Sequence, residues 1–160
     1  MIIQADELPK LQGLSVVFCS GSFDLLHSGH AWFLASCKNL GGSLVVAVGS
    51  DAMIRHRKPD RPIIEQAARL KMVDSLRPVD YCYLDTVSTP EFPLAAVEHA
   101  FAFLKPDGYV IEDDAFGIEE RRGLCERYGV QLNVLNKRGS DFPEMSTTAI
   151  IEKICERQKK

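Results

Sequence analysis

Residues 19–30 read CSGSFDLLHSGH, and they overlap the end of an apolar run at residues 15–20 (SVVFCS). Gly21 permits a tight turn directly after this run, because glycine has no Cβ to clash with the backbone. From Ser28 the spacing of apolar side chains becomes that of a helix, with Gly29 in its first turn. An apolar strand, a glycine turn and a helix in direct succession indicate a sheet of the α/β class.

The same alternation of short apolar runs and helical patterns continues along the chain. The runs predict five strands, at residues 15–20, 43–49, 80–84, 108–111 and 130–135. The helical patterns cover residues 28–39, 66–76, 92–104, 118–128 and 147–158. Strands that alternate with helices pair in parallel through right-handed crossovers. We therefore predict a single Rossmann-like α/β domain over residues 1–160, with a five-stranded parallel sheet and helices on both faces.

This topology indicates where a ligand would bind. Ligands of open parallel sheets bind at the carboxyl ends of the strands, where the strand order reverses. The loops to be searched at that edge are residues 21–28, 50–61, 112–117 and 136–145. A site built there would draw on loops that lie far apart in the chain.

The composition argues against several classes of protein. Apolar residues make up 46% and charged residues 26%, as in ordinary globular proteins, and a net charge of −3 favours neither nucleic acid nor an anionic membrane as a partner. The first ten residues lack the pattern of a signal peptide, and no apolar stretch approaches the ~20 residues that span a bilayer. Five scattered cysteines without a CxxC pair favour reduced core thiols over disulfides or zinc. We therefore expect a cytoplasmic protein.

His27 and His30 flank Gly29 at the predicted start of the first helix. A helix N-terminus offers unpaired N–H groups and partial positive charge, so it binds phosphate well. Two imidazoles at this position can donate hydrogen bonds to phosphate oxygens as negative charge moves in a transition state. The alternatives are two incidental histidines at a helix start, or a zinc site, although no suitable third ligand lies nearby. The position of the pair on a loop at the carboxyl edge favours phosphate chemistry.

The segment GSFDLLHSGH (residues 21–30) resembles the GxFDxxHxGH signature of the cytidylyltransferase-like nucleotidylyltransferases, and the resemblance extends over about residues 16–154. Members that use NMN or phosphopantetheine typically have proline after the Phe-Asp pair, where this chain has Leu25 and Leu26. The leucines are similar to the branch of glycerol-3-phosphate, choline-phosphate and ethanolamine-phosphate cytidylyltransferases, archaeal-type FAD synthetases and the adenylyltransferase that makes ADP-heptose. The segments SDA, RPI and STT resemble the ADP-heptose type most closely.

The resemblance implies a role for each matching residue. His27 and His30 would stabilise the pentacoordinate α-phosphorus, and Lys58 would contact phosphate as a third catalytic residue. The acceptor's own phosphate oxygen would attack, so no protein nucleophile is required. Asp24 would brace the turn. The residues implied in nucleotide or phosphate binding are Gly21, Ser22, Phe23, Gly29, Arg69, Asp113, Asp114, Ser146, Thr147 and Thr148.

Several of these assignments have simpler alternatives. Residues 55–58 also suit a solvated basic loop, Arg69 a surface salt bridge and Ser146 an ordinary helix cap. Arg138 resembles an arginine that the family carries slightly before its hydroxyl-rich segment. Trp32, beside the histidine motif, is expected to pack in the core.

Two positions depart from the family pattern. Glu112, in the segment IEDDA, stands where a glycine usually lets the backbone approach the ligand. Ala67 replaces a glutamate that usually precedes the helix arginine. Both positions bear on ligand recognition or support of the site, so the choice between ATP and CTP stays open, as does the acceptor.

The resemblance therefore implies an enzyme that transfers a nucleoside monophosphate from ATP or CTP to a phosphorylated small molecule, such as a sugar 1-phosphate, and releases pyrophosphate. Mg²⁺ would enter with the triphosphate and bind mainly through its phosphates, without a dedicated protein metal site. A glycerol-3-phosphate or related alcohol-phosphate cytidylyltransferase is the first alternative. A catalytically impaired nucleotide-binding sensor is the second. The resemblance is also compatible with a homodimer.

Overall fold

A five-stranded parallel sheet forms the centre of the computed structural model, which describes residues 1–136 and 145–158. Its strand order is β3-β2-β1-β4-β5, and every neighbouring pair is parallel. The strands are β1 (Val16–Gly21), β2 (Ser43–Val48), β3 (Tyr81–Leu84), β4 (Gly108–Glu112) and β5 (Gln131–Leu135). Each of them overlaps a predicted apolar run, and the predicted Rossmann-like architecture is confirmed.

Helices connect the strands and follow the last one. They are α1 (Ser28–Asn39), α2 (Asp51–Arg57), α3 (Gln66–Asp74), α4 (Ala95–Phe103), α5 (Ile118–Tyr128) and α6 (Thr147–Gln158), with a 3₁₀ helix at Ala5–Leu11. The bounds of α1, α5 and α6 agree with the prediction, whereas α3 and α4 are shorter than predicted. The 3₁₀ helix was not predicted; it contains Pro9 and buries Leu8 and Leu11.

The predicted loop at residues 50–61 needs correction, because its first part is helix α2. Ser50 caps this helix by accepting a hydrogen bond from the N–H of Met53 at 3.4 Å. Met53 and Ile54 are buried, and the helix ends just before Pro59, which is poorly suited to continue it. Seven residues give too few turns for a clear helical period, which explains the wrong prediction.

The two faces of the sheet are covered by different helices. On one face Val17, Cys19 and Val110 pack with side chains of α1 and α3. On the other face Phe18 and Tyr109 pack with the 3₁₀ helix, α4 and α5. The connections change face between β3 and β4, so the strand order reverses between β1 and β4. This reversal opens the crevice in which the sequence predicted a site.

Four of the five thiols and the tryptophan occupy the predicted environments. Cys19, Cys37, Cys82 and Cys125 are buried, whereas Cys155 is exposed, and all five are free thiols. Trp32 is half-buried and packs against the core on the α1 side of the sheet. No helix within residues 1–136 and 145–158 is long and apolar enough to cross a bilayer.

Candidate active site

A cavity of about 340 Å³ opens at the carboxyl edge of β1 and β4, which is within the size range of small-molecule sites. Segments from six parts of the chain border it. The bordering residues are Ser20, Gly21, Ser22, Phe23, Asp24, His30, Phe33, Ile54, Arg57, Lys58, Arg61, Ile111, Glu112, Asp114, Ala115, Phe116, Arg121 and Thr147.

The turn after β1 is strained and is held from outside. Phe23 and Leu25 have φ values of 51° and 46°, in the left-handed region that non-glycine residues rarely adopt. Between them the buried carboxylate of Asp24 accepts hydrogen bonds from the N–H groups of Ile63 and Ile64, each at 2.9 Å. The segment before α3 therefore locks the turn, and this geometry agrees with the bracing role predicted for Asp24.

Arg69 supports the same turn from below. Its guanidinium is fully buried and donates to the carbonyl oxygens of Ile64, Ser22 and Gly49 and to the carboxylate of Asp51. These contacts tie the ends of β1 and β2 to the start of α3. The side chain lies behind the cavity and not on its surface, so the predicted phosphate contact is replaced by a structural role. The alternative of a surface salt bridge is also excluded by its burial.

The two motif histidines stack at the start of α1. Their ring centroids are 3.8 Å apart with an interplanar angle of 24°, and the His30 ring also contacts that of Phe23 at 5.4 Å. His27 is the N-cap of α1: its Nδ1 accepts a hydrogen bond from the N–H of Gly29 at 3.1 Å. In a neutral imidazole the proton then resides on Nε2, which leaves that atom as a donor. His30 borders the cavity.

Gly29 allows the starts of α1 and α6 to approach each other. A Cβ at this position would lie 2.9 Å from the carbonyl oxygen of Met145 and 3.0 Å from the His27 ring, so a larger residue would force them apart. Thr147 completes the contact, because its hydroxyl donates to the carbonyl oxygen of Asp24 at 2.8 Å. The two helix starts, which are far apart in sequence, therefore meet at one end of the cavity.

The predicted residues divide into two groups. Those that border the cavity are Gly21, Ser22, Phe23, His30, Lys58, Asp114 and Thr147. Those that lie beside or behind it are His27, Gly29, Arg69, Asp113, Ser146 and Thr148.

Contacts account for several residues of the second group. Asp113 is exposed and its N–H pairs with the carbonyl of Leu135. Ser146 caps α6 by accepting from the N–H of Ala149 at 3.1 Å, as predicted for a helix cap. Thr148 accepts from Arg61 at 3.3 Å. Arg138 lies outside the described residues.

Two arginines of the cavity did not stand out in the sequence. Arg57 lay within a predicted basic loop, and Arg121 lies in the run EERR at residues 119–122, which looks like any solvated helix surface. Only the packing of α5 against β4 shows that Arg121 borders the cavity. Burial, and secondly the positive charge of Arg57, lower the pKa of Arg121 to about 10.

Sequence comparison agrees with this geometry. Residues 18–153 match the family described as cytidylyltransferase-like. FAD synthase from Methanothermobacter marburgensis is 37% identical over 150 residues, which cover 91% of this chain and 88% of that protein. Bifunctional protein HldE from Pseudomonas syringae pv. syringae is 34% identical over 142 residues, which cover 87% of this chain. The chain spans only 27% of the length of that HldE.

Solved structures have the same fold. A lipopolysaccharide core biosynthesis protein from Thermoplasma volcanium has a TM-score of 0.60 and 27% identity, over 78% of this chain and 96% of that one. Pantoate-beta-alanine ligase from Francisella tularensis has a TM-score of 0.63 over 100% of this chain and 79% of that one, but at 13% identity it shows the fold alone. Since the family match spans residues 18–153 and includes the whole histidine turn, this chain belongs to the cytidylyltransferase-like family of nucleotidyltransferases.

Proposed function

We propose that this protein transfers a nucleoside monophosphate from a nucleoside triphosphate to a phosphorylated small molecule and releases pyrophosphate. The observation that carries this proposal is the convergence of His30, Lys58 and Thr147 on one cavity. These side chains come from α1, the end of α2 and α6, and each suits phosphate oxygens. The strained turn between them is held rigid by Asp24 and Arg69, which favours preorganised catalysis.

In the proposed reaction the triphosphate lies against the adjoining starts of α1 and α6, where backbone N–H groups and helix dipoles favour anions. A phosphate oxygen of the acceptor attacks the α-phosphorus; the new P–O bond forms while the bond to the β-phosphate oxygen breaks. His27 and His30 donate hydrogen bonds to the oxygens that gain charge, and Lys58 neutralises phosphate charge. The side chains act by position and charge and form no covalent intermediate.

Mg²⁺ fits this site as a companion of the triphosphate. Within residues 1–136 and 145–158 no group of three or more His, Cys, Asp or Glu side chains is arranged to hold a metal. The cavity does offer the carboxylates of Glu112 and Asp114, and carboxylate oxygen is a preferred ligand of Mg²⁺. When bound, the ion would neutralise charge on the triphosphate.

The identity of the two substrates is the finer part of the proposal. We favour ATP or CTP as donor and a sugar 1-phosphate as acceptor, with glycerol 3-phosphate or a related alcohol phosphate as the alternative. Glu112 borders the cavity at the end of β4, and a carboxylate accepts hydrogen bonds from hydroxyl or amino groups of a ligand. A carboxylate at this point favours a ligand that carries hydroxyl or amino groups as well as phosphate.

One comparison favours a second candidate, the adenylylation of FMN. The chain covers 88% of the FAD synthase of Methanothermobacter marburgensis, against 27% of the HldE from Pseudomonas syringae. FAD consists of FMN joined to an adenylyl group, so its synthesis fits the same reaction class. ATP and FMN therefore belong in any substrate screen.

The proposal extends to location and assembly. The five free cysteines support a reducing compartment such as the cytoplasm. A homodimer is supported by apolar side chains that are exposed on β5 and α6. Val134 on the edge strand β5 is 44% exposed and Ile154 on α6 is 51% exposed.

Pyrophosphate release tests the proposed function. The full chain with Mg²⁺ is incubated with ATP or CTP and a panel of acceptors that includes a sugar 1-phosphate, glycerol 3-phosphate and FMN. We expect release that requires both substrates and that falls by about 100-fold or more in His30→Ala. Tight triphosphate binding without release from any acceptor would instead indicate the nucleotide-binding sensor.

A further inference from the structure

Arg57 and Arg121 come together around a single residue on the β4 side of the cavity. The guanidinium carbon of Arg57 lies 4.1 Å from the ring centroid of Phe116, over its face. The Nε of Arg121 donates to the carbonyl oxygen of the same Phe116 at 2.7 Å. Both side chains border the cavity. Phe116 therefore holds two guanidinium groups from different helices beside the same space.

Across residues 1–136 and 145–158, neither Arg57 nor Arg121 forms a salt bridge, although Glu112 and Asp114 border the same cavity. Burial, and secondly the positive charge of Arg57, lower the pKa of Arg121 to about 10. An anion between the two guanidinium groups would relieve their repulsion and use their remaining N–H donors.

Arg121 and His30 contact side chains that belong to opposite faces of the sheet. The Arg121 guanidinium is 5.7 Å from the centroid of the Tyr109 ring, which belongs to the face covered by α4 and α5. His30 contacts Phe23, which belongs to the face covered by α1 and α3. A displacement at phosphorus places the attacking and leaving oxygens roughly in line, on opposite sides of the reacting atom. The fold thus provides separate cationic surroundings for the attacking oxygen and for the leaving oxygen.

We propose that Arg57 and Arg121 form a second anion subsite that binds the phosphate of the acceptor, a phosphomonoester, while the triphosphate occupies the side of His27, His30 and Thr147. The assignment of the two sides rests on the proposed function; the existence of an anion subsite does not. Arg121 then selects for acceptors that carry a phosphate. The two nearby carboxylates make the expected affinity for phosphate alone modest.

Calorimetry on the full chain tests this subsite, with inorganic phosphate as the probe. The protein is first saturated with Mg²⁺ and the α,β-methylene analogue of ATP or of CTP. Neither analogue can transfer its nucleotide, because a carbon replaces the oxygen between the α- and β-phosphates. We expect phosphate still to bind, and Arg121→Gln to raise its Kd by about tenfold or more while the Kd of the analogue changes by less than about threefold. Arg122→Gln is the matched control, because Arg122 is the neighbouring residue on α5 and pairs with Glu119 away from the cavity.

Arg57→Gln gives a second variant in which folding is not at stake, because Arg57 is exposed and makes no hydrogen bond that α2 needs. It should weaken phosphate binding in the same way, with Arg55→Gln as its control. The subsite is refuted if the analogue displaces phosphate from the wild type, or if Arg121→Gln weakens the analogue as much as phosphate. If the wild type binds neither analogue yet binds phosphate through Arg121, the subsite stands and the proposed function fails.

Discussion

Arg69 and Arg121 lie near the same cavity, but in two different regions of the molecule. Arg69 is 0% exposed and gives its hydrogen bonds to protein oxygens, three carbonyls and the carboxylate of Asp51. Arg121 donates to one carbonyl, that of Phe116, and borders the cavity. A buried cation surrounded by protein acceptors is structural, whereas one with few of them is suited to bind a ligand. The partners of an arginine, and not its residue type, distinguish the two roles.

The same difference separates two sets of residues. We call Asp24, Asp51 and Arg69 the frame, because their side chains hold the turn after β1. We call His30, Lys58 and Arg121 the lining, because they border the cavity. Changes in the lining should reduce turnover at nearly constant stability, whereas changes in the frame should reduce stability first. The following predictions test that separation, from the largest expected effect to the smallest.

In the lining, His30→Ala should lower turnover by about 100-fold to 10,000-fold while triphosphate affinity changes much less, because its donor acts mainly in the transition state. Pyrophosphate release and calorimetry measure the two quantities. His56→Ala is the matched control, since His56 is exposed on α2 and away from the cavity. Equal losses of binding and turnover would mean that His30 binds phosphate equally strongly in the ground state and in the transition state.

In the frame, Arg69→Leu should lower the free energy of unfolding by about 3–5 kcal/mol, because it leaves the carboxylate of Asp51 and three carbonyl oxygens without their buried partner. Urea denaturation measures the loss. Arg55→Leu is a close control: Arg55 pairs with the same Asp51 at 3.7 Å, but its side chain is 60% exposed. That change should cost about 1 kcal/mol or less. Similar losses of unfolding free energy from both variants would contradict the distinction between the buried Arg69 and the exposed Arg55.

Asp24→Asn probes the part of the frame that holds the strained turn. The amide can replace only one of the two acceptor oxygens that bond Ile63 and Ile64, so we expect a loss of about 1–3 kcal/mol in unfolding free energy. Turnover should fall as well, because the turn carries Ser22 and Phe23 into the cavity. Asp60→Asn, at an exposed position of the segment after α2, should change neither quantity. If Asp24→Asn is as stable as the wild type, the turn does not need both hydrogen bonds from Ile63 and Ile64.

Ser146→Ala tests whether the frame extends to α6. Loss of the cap to the N–H of Ala149 should destabilise this helix by about 1 kcal/mol, and amide hydrogen exchange in α6 should speed up accordingly. Ser146→Asn, which retains a capping side chain, is the control. Unchanged exchange in Ser146→Ala would show that the contacts of Thr147 with Asp24 and of Thr148 with Arg61 hold the start of α6 without the cap.

The sequence predicted most of the architecture because its signals there are local. Continuous apolar runs, typical of strands buried on both faces, mark β1 and β2. Helical patterns that are eleven or twelve residues long mark α1, α5 and α6 with their observed bounds. The histidine turn was equally clear, since its chemistry lies in one continuous segment. The short helix α2 was missed because seven residues hold too few turns to show a period.

By itself, the sequence determined the class of sheet, the edge of the sheet at which the cavity opens and the segment whose histidines lie there. Only the tertiary structure decided which charged residues serve the site. Arg69 was predicted to contact phosphate and lies buried behind the cavity, whereas Arg121, on an unremarkable helix surface, borders it. The physical reason is that the role of a charge depends on the oxygens and the water that surround it. Those neighbours come from strands and helices far apart in the chain, and no local pattern encodes them.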